Sequence, residues 1–107
     1  MAFVYLLGDD GQDNTFKIGI TRGKIEKRIK QLQTGNGERI YLVDFYETDY
    51  PFFIERSLHL KFYPKQKMNE WFNLDVEDLV NFKEHCRLFE NNAKVLEDNP
   101  FAKKILK

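Results

Sequence analysis

Side chains that bind phosphate are concentrated in one short stretch of the sequence. Between positions 17 and 30 a single acid, Glu26, stands among six basic residues, namely Lys17, Arg22, Lys24, Lys27, Arg28 and Lys30. Ammonium and guanidinium groups bind phosphate oxygens, and the planar fork of arginine can hold two of them at once. Two interpretations of the stretch remain open: a surface that binds nucleic acid, or a helix face that is only solvated.

Four further residues carry side chains that could take part in catalysis or binding. Glu55 and His59 are four positions apart, so on a helix they share one face, either as a local pair or as parts of one site. Tyr5 lies in an apolar stretch, where a tyrosine is commonly a core residue. Asn36 follows Thr34-Gly35 and is either a turn residue or a contact to nucleic acid, with the turn slightly favoured.

The first half of the chain, which holds Tyr5 and the basic residues, is predicted to form three strands and a helix. Residues 3–7 are apolar on both faces, which predicts a central strand, and residues 16–20 alternate as a neighbouring strand does. Residues 8–14 are rich in Asp and Gly and predict the turn between them. From Lys24 to Gln33, apolar residues recur at helical spacing until Gly35, and Arg39 to Glu47 returns as a third strand.

The second half predicts two more helices. One begins at Pro51, runs to about Tyr63 and has Ile54, Leu58 and Phe62 on its inward face. Residues 69–74 form a short extended piece whose Trp71 and Phe72 are more typical of core anchors than of base-stacking platforms. Asp75 then caps a third helix whose inward face comprises Val76, Leu79, Val80 and Cys86. The predicted order is β-β-α-β-α-α.

Composition limits the class of protein. With 107 residues, 42% of them hydrophobic, we expect one compact domain over residues 1–90 and a tail over residues 91–107, helical or ordered by a partner. A single cysteine excludes an intrachain disulfide, and two histidines beside it are too few for a structural zinc site, which favours a reducing, intracellular compartment. The N-terminal residues 1–7 lack a basic leader, which predicts a strand instead of a signal peptide or membrane span. Lys plus Arg equal Asp plus Glu at 17 each, so net charge does not decide the partner.

Five short motifs in order give the sequence a family resemblance. They are Phe3-Val4-Tyr5, Lys17-Ile18-Gly19-Ile20-Thr21, Arg28, Glu55 with His59, and Glu70-Trp71-Phe72. This pattern resembles the GIY-YIG endonuclease superfamily, in the branch of short phage, viral and fungal domains that read Lys-Ile-Gly-Ile-Thr. The resemblance extends from residue 3 to about residue 89. Two departures are that Phe3-Val4 replaces the leading Gly-Ile and that Lys17 stands where the second tyrosine is usual.

The resemblance implies an α+β fold with a small three-stranded antiparallel sheet flanked by helices. It also implies a nuclease that hydrolyses DNA phosphodiester bonds with Mg²⁺ or Mn²⁺. We expect it inside the cell, in the cytoplasm or with the nucleoid or nucleus, and its gene is cellular, viral or from a phage. In that family's scheme Tyr5 is the general base, tuned by Lys17, while Arg28 stabilises phosphate charge, Glu55 binds the metal ion and His59 assists. Tyr5 and Lys17 must then share a face, so Tyr5 pairs with an odd-numbered residue of the second strand.

Other side chains would contact the substrate, and other functions remain open. Arg22, Lys24, Lys27, Lys30 and Asn36 are the predicted nucleic-acid-binding residues. RNA is a second candidate substrate beside DNA, and the tail is a candidate surface for a protein partner or a homodimer. The alternatives are a non-catalytic nucleic-acid-binding module with the same fold, for which Lys17 is the main reason, and a scaffold that binds protein through its aromatic surface.

Overall fold

In the computed structural model, which describes residues 2–101, five strands form one antiparallel sheet. The strands are β1 (Phe3–Asp9), β2 (Gln12–Thr21), β3 (Ile40–Glu47), β4 (Gln66–Met68) and β5 (Trp71–Asn73). Their order across the sheet is β3-β1-β2-β5-β4. The helices are α1 (Ile25–Thr34), α2 (Pro51–Lys61), α3 (Val76–Val80) and α4 (Phe82–Glu97), with a 3₁₀ turn at Tyr63–Lys65. The predicted α+β class with helices flanking an antiparallel sheet is confirmed.

The register of the two first strands agrees with the prediction for Tyr5. Tyr5 pairs with Gly19 and Leu7 pairs with Lys17, so Tyr5 and Lys17 lie on the same face of the sheet. Strand β5 continues the sheet beside β2 only at Thr15, Phe16 and Lys17. Among the described residues, the end of β2 from Ile18 onward therefore pairs with β1 on one side and has no strand on the other.

Each face of the sheet is covered by different helices. On the face of Tyr5 and Leu7, Ile29 and Leu32 of α1 pack over the strands. On the opposite face, a larger cluster joins the even-numbered residues of β1 and β2 to α2 and α4. The predicted inward residues of α2 are confirmed, since Ile54, Leu58 and Phe62 are buried.

The predicted count of three strands is wrong. Residues 66–68 and 71–73 form a hairpin, β4–β5, that extends the sheet beyond β2. Asn69, at the turn of this hairpin, has a φ of 53°, a conformation that asparagine tolerates better than most residues. Strands of three residues are too short for an alternating pattern to be recognised in the sequence, which is why only an extended piece was predicted.

The predicted third helix is divided in two, and half of its predicted inward face is wrong. Asp75 does cap α3, and its carboxylate accepts a hydrogen bond from the Asp78 amide. The chain then changes direction at Asn81, between α3 and α4. Val76 and Val80 consequently face solvent, each with 75% of its surface exposed, whereas Cys86 on α4 is buried.

Helix α4 runs without a break across the expected boundary at residue 90. Within residues 91–97 Ala93 is buried, and Glu97 accepts a hydrogen bond from the Tyr50 hydroxyl. Residues 102–107, the end of the predicted tail, lie outside the described residues. Within residues 2–101, none of the helices has the length and apolar character needed to cross a membrane.

Candidate active site

Helix α2 presents Glu55 and His59 on one side, one turn apart. The His59 imidazole lies 3.0 Å, measured from Nε2, from the carbonyl oxygen of Ile18 and stacks at a tilt against the Phe72 ring, 5.0 Å between centroids. Because the carbonyl can only accept, Nε2 donates in this contact, and Nδ1 is the nitrogen left for a metal ion. A backbone carbonyl that orients one imidazole nitrogen and frees the other is the usual support for a metal-binding histidine.

Glu70 approaches the same place from the residue before β5. Its carbonyl oxygen accepts a 3.1 Å hydrogen bond from the Ile18 amide, which ties this position to β2. Its carboxylate accepts a hydrogen bond from Lys17 Nζ at 2.9 Å. The Lys17 ammonium also lies 5.6 Å from the centre of the Trp71 ring. Lys17 is therefore held between a carboxylate and an aromatic ring.

Three ligand atoms converge where these elements meet. One donor atom each from Glu55, His59 and Glu70 lies within 4.8 Å of the other two, and all three side chains are half-buried. Two carboxylates and an imidazole, brought together from α2 and the start of β5, form a donor set able to hold a divalent cation.

The protonation of Glu55 responds to this crowding. Burial, followed by the charge and hydrogen bonding of the Glu70 carboxyl, raises the pKa of Glu55 to about 7 against a partial lowering by Lys17. Two carboxylates this close cannot both ionise easily without a cation between them. Near neutral pH, part of the protein therefore carries a proton on Glu55, which a bound cation would displace.

Tyr5 reaches the same stretch of β2 from the neighbouring strand. Its ring lies across Gly19, where an added Cβ would come to 2.6 Å from Tyr5 Cζ. Tyr5 is 1% exposed, and its hydroxyl makes no hydrogen bond to another residue within positions 2–101, where no fully buried polar side-chain atom lacks a partner. The hydroxyl oxygen must therefore keep access to solvent. Three successive residues of β2 thus contact the candidate site residues. Lys17 binds Glu70, the Ile18 carbonyl accepts from His59, and Gly19 packs against Tyr5.

A domain-family model matches most of the chain. The T5orf172 domain aligns with residues 2–87, which include Tyr5, Glu55, His59 and Glu70. The chain belongs to the T5orf172 domain family. No curated protein and no solved structure matches it significantly. The family match ends within α4, so the last turns of that helix lie beyond the T5orf172 domain.

The other predicted site residues of this T5orf172 domain lie near α1. Arg28 is half-buried, and its Nη1 donates to Gln31 Oε1 at 3.4 Å on the same helix. Among the described residues it makes no hydrogen bond or salt bridge with Glu55, His59 or Glu70. The exposed basic residues around it are Arg22, Lys24, Lys27 and Lys30.

Asn36 has a structural role in the turn after α1. Its amide donates to Asp9 Oδ2 at 3.1 Å and to the Glu38 carbonyl at 2.8 Å. These bonds link the end of α1 to the end of β1. They favour the turn interpretation, and a contact from Asn36 to nucleic acid remains a prediction.

Glu70 is the site residue that sequence reasoning missed. The motif Glu70-Trp71-Phe72 was part of the family resemblance, but Glu70 had no assigned role. The sequence did contain a signal for it. Glu70 comes immediately before the extended segment with Trp71 and Phe72, and a charged side chain there is not expected to enter the core. Its pairing with Lys17 depends on the β2–β5 register, which the sequence does not show.

Proposed function

We propose that this T5orf172 domain is a metal-dependent endonuclease of the GIY-YIG kind, which hydrolyses DNA phosphodiester bonds. The observation that carries the proposal is the convergence of Glu55, His59 and Glu70 beside Lys17. Tyr5 lies on the Lys17 face of the sheet, with its ring over Gly19. The family also supports it, since T5orf172 domains occur in nuclease-like phage proteins.

The donor set fits Mn²⁺ well and Mg²⁺ acceptably. Carboxylate oxygens suit both ions, whereas an imidazole ligand such as that of His59 is more usual for Mn²⁺ and later transition metals than for Mg²⁺. A cation would also relieve the repulsion that raises the pKa of Glu55. When bound, the ion would neutralise phosphate charge and acidify a water molecule.

The remaining residues have separate tasks in the proposed reaction. Tyr5 accepts the proton of the attacking water through its solvent-reaching hydroxyl. A free tyrosine has a pKa of about 10, so positive charge near it is needed to favour the phenolate. Lys17, on the same face of the sheet, supplies that charge while it neutralises Glu70. Arg28 turns from Gln31 to the phosphate oxygens when the substrate binds.

A second candidate function is a non-catalytic module that binds DNA or RNA. Its supporting observation is that Arg28 bonds within its own helix, away from the carboxylates. In this version the basic surface of α1 binds phosphates, and the Glu55 cluster serves only to anchor α2 against β2 and β5.

Cleavage assays distinguish the two functions. End-labelled single-stranded, duplex and branched DNA, and an RNA strand, are incubated with Mg²⁺, with Mn²⁺ or with chelator. We expect cleavage that requires metal and is faster with Mn²⁺. Glu55→Gln and Glu70→Gln should each lower the rate by about 100-fold or more, since metal assistance supplies several kcal/mol.

Glu77→Gln is the matched control, because Glu77 is an exposed carboxylate on α3 outside the cluster. It should cleave at the wild-type rate. A wild-type protein that binds DNA but cuts none of these substrates with either ion would establish the binding module instead.

A further inference from the structure

An apolar cavity of about 420 Å³ lies on the face of the sheet that carries Tyr5. Its walls include the rings of Phe3 and Phe45, which meet edge to face with centroids 6.0 Å apart, together with Leu42 and Ile25. Phe45 and Leu42 are each 39% exposed. Large apolar side chains that remain exposed around a concave surface are typical of a ligand site.

The rim of this cavity is positively charged. Arg22 and Lys24 line it on one side, and Glu26 is the single carboxylate among the described lining residues. Lys24 is also the N-cap residue of α1 and provides no side-chain cap, so the first-turn amides have no side-chain acceptor there. The rim therefore favours an anion such as a phosphate group.

Two contacts connect residues that line the cavity to the elements that carry the candidate active site. Phe45 is the partner of Tyr5 across β1 and β3, so the two residues are neighbours on one face. The Arg22 guanidinium lies 5.5 Å from the centre of the Phe52 ring at the start of α2. Phe52 and Glu55 are three residues apart on that helix and thus lie on adjacent positions of its surface.

We propose that this cavity holds an unpaired nucleobase of a bound DNA strand, with its phosphate against Arg22 and Lys24. Aromatic rings stack on any base, and flanking cations hold the backbone, which is how single strands are bound without sequence preference. An apolar peptide segment would leave the charged rim without a partner. The inference rests on the proposed function and narrows its substrate to DNA with an unpaired nucleotide next to the scissile phosphate.

Binding measurements in chelator test the proposal without cleavage, so they remain interpretable even if the nuclease proposal fails. The dissociation constants of a duplex with a single-nucleotide bulge and of its fully paired counterpart are compared by fluorescence anisotropy. We expect the wild-type protein to prefer the bulge by roughly 5- to 100-fold, the range that stacking of one base provides. A 5-iodouracil at the bulge should photo-crosslink to Phe45 or Phe3.

Two variants and one control identify the cavity. Phe45→Ala should reduce the preference to about twofold or less, and Leu42→Glu should do the same by placing a carboxylate in the opening. Phe101→Ala is the matched control, because Phe101 is 91% exposed and does not line the cavity. Melting temperatures verify that each variant is folded.

Three results would overturn the proposal. The first is a wild-type protein that binds bulged and paired DNA equally or binds neither. The second is a bulge preference retained in both cavity variants. The third is a protein dimer, seen by sedimentation, that Phe45→Ala dissociates, since a second copy of the chain would then be the occupant.

Discussion

At the scale of single residues, the two carboxylates of the candidate site determine a pH dependence. The pKa of Glu55 is raised to about 7 in the folded protein, first by burial and then by Glu70, from an ordinary value of 4.5. A raised folded-state pKa means that the folded protein holds this proton more tightly than the unfolded chain. The stability from this group is therefore complete below about pH 4.5 and is lost as pH rises through 7.

Glu55→Gln imitates the protonated side chain and should remove this loss. In chelator, we expect the melting temperature of Glu55→Gln to match that of the wild type near pH 4.5 and to exceed it at pH 8. Thermal unfolding followed by circular dichroism across this range measures the difference. Addition of Mn²⁺ at pH 8 should reverse the order, because only the wild type retains both carboxylates for the ion.

The control for this experiment is Glu77→Gln, whose carboxylate is exposed on α3. Its melting temperature should follow the wild type at every pH. A Glu55→Gln protein that is no more stable than wild type at pH 8 would mean that Glu55 ionises freely in the fold.

At the scale of secondary-structure elements, the pairing of β1 with β2 requires a glycine opposite Tyr5. The Tyr5 ring occupies the space above Gly19, and a methyl group there would come to 2.6 Å from Cζ. The ring is buried and packed under α1, so it cannot move aside easily. The absence of a side chain at position 19 thus determines where the tyrosine hydroxyl lies.

Gly19→Ala should therefore destabilise the protein by about 1–3 kcal/mol, the usual cost of overpacking a core. The cleavage rate should fall as well, because the tyrosine hydroxyl proposed as the base would be displaced from its place over position 19. Chemical denaturation and initial cleavage rates measure the two effects. Gly37→Ala is the matched control, since a Cβ at Gly37 meets nothing within 4 Å. Equal stability of the two variants would show that Tyr5 has another conformation available.

At the scale of the whole molecule, a chain without net charge has an uneven charge distribution. The 17 basic and 17 acidic residues cancel, yet Lys24, Lys27 and Lys30 are exposed at three-residue spacing along α1. Alanine at all three positions should weaken binding to every DNA sequence alike. Each lost phosphate contact should flatten the slope of log K against log salt by about 0.9.

The matched control for this triple variant replaces Lys83, Arg87 and Lys94 on α4. These residues change the net charge equally but lie on a different helix, and each is near a carboxylate. Fluorescence anisotropy at several salt concentrations gives the slopes. A slope that stays at the wild-type value in the α1 variant, or that falls equally in both variants, would mean that α1 is only a solvated helix.

Local signals in the sequence were sufficient for most of the architecture. The apolar spacing of α1 and α2, the terminator Gly35 and the cap at Asp75 all concern neighbours within a few residues. Local signals failed where a segment was very short or where the chain turned between helices. The hairpin of β4 and β5 was missed for the first reason, and the exposure of Val76 and Val80 for the second.

The sequence by itself determined which chemical groups the protein has and the parity of the strand pairing. Side chains alternate along a strand, so Tyr5 and Lys17 share a face in any register that pairs Tyr5 with an odd-numbered residue. Only the tertiary structure decided which groups meet. Glu70 lies close to Glu55 and His59 because β5 pairs with β2 only as far as Lys17, and α2 packs against the edge of β2 beyond that point. These residues are far apart in the chain. Long-range pairing depends on packing over the whole sheet, and no local pattern of residues encodes it.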